Sequence, residues 1–360
     1  DSSVVIDSPG TASGLKFTTA GGTRPNVVAS NFMVALSGST TVALRSPNKL
    51  SGGDVALLLA NDTALNSVNI SIGDGVVLNV SSASLLGESS ASIISSVAAV
   101  SGLDCAVGKA SQVTIAHASG SAHLVSLVAE PTLVNVSDVS LSIAAAARVN
   151  LQGAVHAGAV HIVGYDSVSG LNMSTGSNST LSLEQTSGTG SVGSGAQLIA
   201  VADLAAAVGV HLHLIGTSIS ASSAAESGNV SVVTFQNVKN SVTNFSLEVQ
   251  ESANWNLNAA SGADVMAIRC DRAPLSYGHV IFPKVTTGFV DIALTSASGA
   301  VAMTYLHESP ISNVNLEHHQ NGHLELKGNT AAWLHATGGS AMEKSTFGLF
   351  ALSVNLTCTR

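Results

Sequence analysis

The stretch Val210-His211-Leu212-His213-Leu214 alternates apolar and polar residues at every position. Successive side chains of a β-strand point to opposite faces, so this alternation predicts a strand with one buried face. Similar stretches rich in Val, Ile, Leu and Thr recur roughly every 10 to 15 residues, between clusters of Gly, Ser, Asn and Asp. Residues 68–72, 160–162 and 181–183 are clear examples. The chain is therefore predicted to be all-β.

Two architectures have short strands at this spacing, a parallel β-helix and an antiparallel β-sandwich. Hydrophobic residues make up 45% of the chain but aromatic residues only 4%, so the core must consist mainly of small aliphatic side chains. A sandwich core is commonly filled by larger side chains, whereas a solenoid stacks small or aliphatic ones in ladders. The composition thus predicts a right-handed parallel β-helix (β-solenoid), with antiparallel β-sandwich modules as the alternative.

The predicted organisation has three segments. Residues 1–45 are interpreted as an N-terminal cap or assembly segment, and residues 46–253 as the β-solenoid. Residues 254–360 contain both tryptophans, Trp255 and Trp333. This last segment is predicted to continue the solenoid or to form a second β module with a terminal strand.

Charge and hydropathy exclude two classes of partner. Charged residues are only 10% of the chain and its net charge is −9, with no basic stripe, so a nucleic-acid partner is not expected. Mean hydropathy is +0.40. The apolar stretches are nevertheless far shorter than the ~18 residues that would form a membrane-spanning helix, and no membrane span is predicted.

Asn-x-Ser/Thr motifs are more frequent than this composition requires. Such motifs accept N-linked glycans in secreted proteins, and glycans would hydrate a surface that has few charges. We therefore predict an extracellular or cell-surface, secreted protein carrying covalent N-glycans. The nine acceptors are Asn61, Asn69, Asn79, Asn135, Asn172, Asn178, Asn229, Asn244 and Asn355.

The three cysteines, Cys105, Cys270 and Cys358, are an odd number for a secreted chain. Either one internal disulfide leaves a free thiol, or Cys358 links to a neighbouring chain. The pairing is open at this stage. Their spacings match no zinc or redox motif.

Two strand-like segments that each contain an Asn-x-Ser motif carry a resemblance to known proteins. Residues 78–86 (LNVSSASLL) and 133–141 (LVNVSDVSL) resemble the coils of extracellular parallel β-helix adhesins. Their texture is similar to that of the dispersed-gene-family surface proteins of kinetoplastid protozoa. The resemblance implies a surface or matrix role without catalysis.

Histidines and carboxylates supply the candidate chemistry. Five histidines are weak candidates for a metal site, but half-exposed strand residues explain them better, so no metal or other cofactor is predicted. They are His211, His213, His318, His319 and His323. β-helix glycosidases need close carboxylates, and Asp264, Arg269, Asp271 and Arg272 form the clearest local cluster. A salt-bridged turn is the simpler interpretation, and the protein is predicted not to be an enzyme.

The predicted function is structural: a subunit of an extracellular filament or surface coat that assembles end to end as a homopolymer. The basis is that both terminal segments are apolar and strand-like, and an uncovered ladder is a template for another strand. The assembly residues are Ser3, Val4, Val5, Ile6, Leu352, Val354 and Leu356. One alternative is a carbohydrate-binding or cell-adhesion module that uses Trp255, Trp333, Tyr277 and Tyr305. A second alternative is a β-helix polysaccharide-degrading enzyme.

Overall fold

The computed structural model describes residues 2–8, 11–17, 28–48, 53–61, 63–85, 89–129, 134–187, 194–225, 228–260, 262–282, 289–319, 322–350 and 353–358. These residues form 32 strands and no helix. In chain order the strands are β1 (Ser2–Asp7), β2 (Ala12–Phe17), β3 (Val28–Leu36), β4 (Thr40–Ser46), β5 (Val55–Ala60), β6 (Ala64–Ile72), β7 (Val77–Ser82), β8 (Ser90–Ser96), β9 (Val100–Val107), β10 (Gln112–His117), β11 (Ser121–Val128), β12 (Asn135–Ile143), β13 (Arg148–Gly153), β14 (His156–Val163), β15 (Ser167–Thr175), β16 (Thr180–Gln185), β17 (Gly195–Ile215), β18 (Ser218–Ser223), β19 (Asn229–Gln250), β20 (Ala253–Ala259), β21 (Val265–Asp271), β22 (Leu275–Ser276), β23 (His279–Phe282), β24 (Val290–Ser296), β25 (Ala300–His307), β26 (Ile311–Ser312), β27 (Asn315–His319), β28 (Gly322–Gly328), β29 (Thr330–Thr337), β30 (Met342–Glu343), β31 (Thr346–Phe350) and β32 (Ser353–Cys358).

Every pairing between the described strands is parallel, and each strand pairs with those one rung before and after it. In the first and last rungs the described strands pair on one side only. The pairings form three ladders. Ladder A contains β1, β4, β7, β10, β13, β16, β18, β20, β24, β28 and β32. Ladder B contains β2, β5, β8, β11, β14, β21, β25, β29 and the first halves of β17 and β19. Ladder C contains β3, β6, β9, β12, β15, β22, β23, β26, β27, β30, β31 and the second halves of β17 and β19. The predicted parallel β-solenoid is confirmed, and the antiparallel sandwich is wrong.

Stacked apolar columns fill the interior. One column of ladder A runs through Val42, Leu78, Val113, Val149, Leu181, Ile219, Trp255, Ile292 and Leu324, one residue in each rung. All of these side chains are buried. A tryptophan between two isoleucines is the exception in an otherwise aliphatic column, which agrees with the low aromatic content.

A second regular feature is a column of left-handed residues in ladder C. Within this ladder each rung contains one residue with φ between 49° and 67°, where β-strand pairing skips a position and the strand bends. The column consists of Asn31, Ser67, Gly102, Asp138, Gly170, Gly209, Asn244, Tyr277, Asn313 and Lys344.

The first and last predicted segments belong to the same ladders as the middle of the chain. Strands β1, β2 and β3 pair with β4, β5 and β6, so residues on both sides of position 45 share the three ladders. Strand β20 pairs with β18 on one side and β24 on the other, across position 254. The three-segment division itself stays a prediction.

Candidate functional site

The strands of ladder B bury side chains on both of their faces. In β11, the core contains Ala122, Leu124, Val125 and Leu127. Because Leu124 and Val125 are consecutive, the strand bends between them, and strand pairing omits Leu124. The outward side chains on either side of the bend therefore lean toward each other.

We call the outward surface along this bend the polar trough. Its side chains contact one another across the bend, as when the Ser231 and Thr234 hydroxyls approach within 2.7 Å in one rung. Most of its members are buried although they face away from the apolar core. The trough consists of Ser92, Ser95, His123, Ser126, His156, His161, Gln197, Ser231, Thr234 and Arg269. A buried polar surface of this length is the main candidate site in the fold.

The middle of the polar trough holds the three-histidine cluster, which we define as His123, His156 and His161. The ring centroids lie 4.5 Å apart for His156 and His161, 4.6 Å for His123 and His161, and 4.8 Å for His123 and His156. His123 and His156 are buried, and His161 is half-buried. His123 comes from β11, whereas the other two come from β14 in the next rung.

The hydrogen bonds of the cluster leave one ring nitrogen of each histidine without a partner. His123 Nε2 and His156 Nδ1 are 2.7 Å apart, so one of them donates to the other. The buried atoms His123 Nδ1, His156 Nε2 and His161 Nδ1 have no hydrogen-bond partner. Whichever tautomer forms, the bonded pair retains one unsatisfied N–H and one unsatisfied lone pair. Each unsatisfied group costs about 1–3 kcal/mol.

The same packing keeps the imidazoles neutral. Burial lowers the pKa of His161 to about 4. Burial, followed by the neighbouring histidines, holds the pKa of His123 well below its ordinary value. Burial and then His161 do the same to the pKa of His156, while the neighbouring Gln197 side chain acts in the opposite direction. Desolvation of the charged form is the leading cause for all three.

His117 lies beside this cluster and contacts Ser89, a pairing that resembles part of a hydrolase site. His117 Nδ1 accepts hydrogen bonds from the backbone N–H groups of Ser119 and Gly120, at 3.2 and 2.7 Å. The proton must therefore reside on Nε2, which donates to Ser89 Oγ at 2.8 Å. In this arrangement His117 cannot take the proton of the Ser89 hydroxyl. Burial lowers the pKa of His117 to about 4, against the opposing effect of Asp54.

The carboxylates that the sequence offered for catalysis pair with arginine. Arg269 Nη1 lies 3.7 Å from Asp264, and Arg269 Nη2 lies 3.5 Å from Asp271. The Arg269 guanidinium also lies 5.3 Å from the centre of the Tyr305 ring. The exposed Arg272 contacts Asp271 at 3.3 Å. This network favours the salt-bridged interpretation, because both carboxylates are held by cations instead of facing an open cleft.

The predicted glycan acceptors differ in exposure. Asn69, Asn135, Asn172, Asn178, Asn244 and Asn355 are exposed. Asn61, Asn79 and Asn229 are half-buried. Asn229 Oδ1 accepts a hydrogen bond from Arg269 Nη1 at 2.7 Å, so this side chain is engaged in the trough. Glycosylation itself stays a prediction.

The cysteines form no disulfide in this structure. Cys105 and Cys270 are buried in separate rungs, and Cys358 is exposed on β32. The first two are about five rungs apart, or roughly 24 Å, which is far beyond the reach of a disulfide. Burial, and then a neighbouring aspartate, raises the pKa of each buried thiol to about 12. Cys105 and Cys270 therefore cannot form a disulfide with each other in this fold, and a bond from Cys358 to another chain stays a prediction.

The weak metal candidates are dispersed. His211 and His213 face outward on β17 and are half-buried, and His211 Nδ1 contacts Ser246 Oγ at 2.7 Å. His318 and His319 lie on β27 in ladder C, whereas His323 lies on β28 in ladder A. Within the described ranges, no three histidine, cysteine or carboxylate side chains are arranged to hold a metal ion.

The proposed aromatic face for sugar binding does not form. Trp255 is fully buried and packs edge-on against Phe282 at 5.6 Å. Trp333 is half-buried against Phe347, and Tyr305 covers Arg269. Tyr277 alone among the four aromatic residues is largely exposed. The interpretation of these residues as one sugar-stacking surface is wrong.

Among the predicted assembly residues, Ser3, Val4 and Val5 are exposed on β1, and Ile6 is half-buried. Val354 and Leu356 are exposed on β32. Leu352 lies outside the described residues.

Comparison with known proteins yields no relative. No protein-family model, no curated protein and no solved structure matches the chain. Over the described residues, no helix is long and apolar enough to cross a membrane. The function must be argued from the fold and its surfaces.

Proposed function

We propose that this chain is a secreted, N-glycosylated structural protein that assembles end to end into an extracellular filament or surface coat. The observation that carries the proposal is the exposure of core-column side chains at both tips of the solenoid. Val4 and Val354 belong to the same column as Val42 and Leu324, which are buried. At the tips, Val4 is 48% exposed and Val354 is 37% exposed.

The tips of ladder A complement each other. Leu356 stacks in register on Leu326 at one end, and Ile6 stacks on Leu44 at the other. If β1 of a second copy pairs in parallel with β32, Val4 and Ile6 cover Val354 and Leu356, and both apolar columns continue. Such a contact joins unlike surfaces, so it does not close on itself and produces a fibre.

Two further observations support a structural and extracellular role. The carboxylates of the arginine network are neutralised, and His117 donates to Ser89, so neither group is disposed for hydrolysis. Six of the nine asparagines predicted to accept glycans are exposed. Glycans at those positions would hydrate the sides of the rod and leave its tips free.

The test uses residues 1–360 secreted from a eukaryotic host. Sedimentation and negative-stain images over a range of concentrations are expected to show rods that lengthen as the concentration rises. The double substitution Val354→Asp with Leu356→Asp puts charges into the exposed core columns, and we expect it to remain monomeric.

Ser353→Asp is the matched control for the single substitution Val354→Asp, because each adds one negative charge to β32, the first on its outward face and the second in the core column. Ser353→Asp is expected to assemble normally. A wild-type chain that stays monomeric, or a double variant that polymerises like the wild type, would overturn the assembly. Measurement of the intact mass before and after enzymatic deglycosylation of the same sample tests whether the chain carries N-glycans. An unchanged mass would contradict it.

A further inference from the structure

The three-histidine cluster is the least satisfied polar region of the trough. Three buried nitrogen atoms lack partners, and the centroids of the three imidazole rings lie within 4.8 Å of one another. Its neighbours along the ladder are mostly serines: Ser92 precedes His123, and Ser126 precedes His161 in the same columns. Histidine is therefore not required for the fold at these positions, because the preceding rung folds with a hydroxyl.

The groups that face the cluster offer protonated imidazoles no counter-charge. From β8 the facing residues are serines and from β17 the facing residue is Gln197, while His117 of β10 adds a further repulsive effect on a protonated His123. The carboxylate of Asp54 acts on His117. Asp264 lies three rungs beyond His156, about 14 Å away, and is paired with Arg269. A charge acquired by the cluster would remain desolvated and repelled by its neighbours.

We propose that the three-histidine cluster is an acid-sensitive latch, which holds β11 to β14 while its imidazoles are neutral and releases these rungs when they take up protons.

The sign of the pH effect follows from the depressed pKa values of the folded state. In the opened chain each histidine binds a proton near its ordinary pKa of about 6.5. In the closed rungs the pKa of His161 is about 4, and burial holds the pKa of His123 and of His156 well below the ordinary value. The opened state binds more protons across this window, so acid favours opening. The closed rungs are therefore most stable above about pH 6.5, and the free energy of opening them falls as the pH is lowered toward 4.

The expected effect is large because three groups act together. For one histidine, lowering the pH from 7.5 to 5.5 shifts the opening equilibrium about tenfold. Three histidines multiply to about 1,000-fold. Each rung contacts only its neighbours, so this opening is expected to concentrate at β11 and β14.

Hydrogen exchange of the wild-type chain tests the proposal without any substitution. After correction for intrinsic exchange rates, the opening constants of amides in β11 and β14 should rise by about 1,000-fold between pH 7.5 and 5.5. Amides of β24 and β28, at a distance from the cluster, should change far less. Equal changes in both regions, or no change, would overturn the latch.

A variant without the three histidines measures how much of the pH dependence of opening is due to the cluster. The triple substitution His123→Ser, His156→Ser and His161→Ser uses the residues of the preceding rung at the same column positions. It should abolish the 1,000-fold pH dependence at β11 and β14 whatever its effect on stability at pH 7.5. His279→Ser, an exposed histidine of ladder C, is the matched control and should retain the full pH dependence.

Two wild-type measurements keep the proposal open to refutation if the triple variant fails to fold. Deuterium exchange at the imidazole C2 positions reports each histidine's titration, and while the chain is closed all three cluster histidines should take up protons well below the ordinary histidine range. Ordinary titration near pH 6.5 would overturn the latch. Stabilisation by added Zn²⁺ at pH 7.5, localised to β11 and β14, would identify a metal site and would also overturn it.

Discussion

At the scale of single residues, the three-histidine cluster fits because position 158 has no side chain. Gly158 pairs with His123 across the ladder. A Cβ at this position would lie 2.3 Å from the carbonyl oxygen of Gln197 and 2.9 Å from Cε1 of His156. The carbonyl belongs to the backbone of the next rung, so it cannot move without disturbing strand pairing.

We therefore expect Gly158→Ala to lower the free energy of unfolding by about 1–3 kcal/mol, the usual cost of overpacking. Urea denaturation followed by circular dichroism measures the change. Gly278→Ala is the matched control, because its Cβ would meet its nearest neighbours at 3.5 Å. Its effect should stay within about 0.5 kcal/mol. Identical unfolding midpoints for the two variants would contradict the close-approach argument.

The sequence pattern predicts which histidines of a single strand share a face, but it does not predict which histidines of neighbouring rungs lie together. His211 and His213 are two positions apart, so alternation alone placed them on one face. His123, His156 and His161 are separated by 33 and 5 residues, and only the rung length brings them together. Paired positions of neighbouring rungs differ by 31 to 39 residues around this site, without a strict sequence repeat. The sequence contains the spacing between these histidines, but it does not reveal the strand register that places them side by side.

At the scale of strands, each rung of ladder C depends on one residue in the left-handed region. Glycine, asparagine and aspartate adopt this conformation at low cost, and they occupy seven of the ten positions in the column. Tyr277 and Lys344 occupy two others, with φ of 53° and 49°. The left-handed conformation costs an ordinary L-residue about 1–2 kcal/mol.

Tyr277→Asn is therefore expected to raise the free energy of unfolding by about 0.5–1 kcal/mol, since the tyrosine side chain is 68% exposed and gives up little packing. Denaturant unfolding measures the gain. Ser276→Asn, the adjacent position with a negative φ, should give no gain. A Tyr277→Asn variant that is no more stable than the wild type would show that the column carries no conformational strain.

The sequence predicted strands in all three ladders, including residues 160–162 of β14 in ladder B, but some strands of ladder B carry no alternation. Residues 68–72 and 181–183 alternate regularly and lie within β6 and β16. Strand β5, by contrast, is Val-Ala-Leu-Leu-Leu-Ala with every residue buried, because the bend covers its outer face too. Alternation cannot reveal such a strand. The sequence does not reveal the bend of ladder B either, because no particular residue type occurs where two consecutive side chains point inward.

At the scale of the whole molecule, the solenoid is a one-dimensional stack in which stability is the sum of rungs and their interfaces. Val77 and Gln112 are partners in ladder A, so residues 77–111 make one complete rung. Deleting them places Gln112 directly after Val76, in the position that Val77 held. Strand β4 then stacks on β10, and the apolar columns remain continuous, with Val42 on Val113 and Leu44 on Ile115.

We expect the chain lacking residues 77–111 to fold, with an unchanged β-type circular dichroism spectrum and a rod about 4.8 Å shorter by small-angle X-ray scattering. Its stability should fall only by the contribution of one rung and its interface. A deletion of residues 77–94 is the control, because it removes half a rung and would shift every later strand to the wrong ladder. That chain should fail to fold. If the full-rung deletion unfolds as completely as the half-rung deletion, the rungs are not interchangeable, and the contacts that stabilise this solenoid extend beyond nearest neighbours.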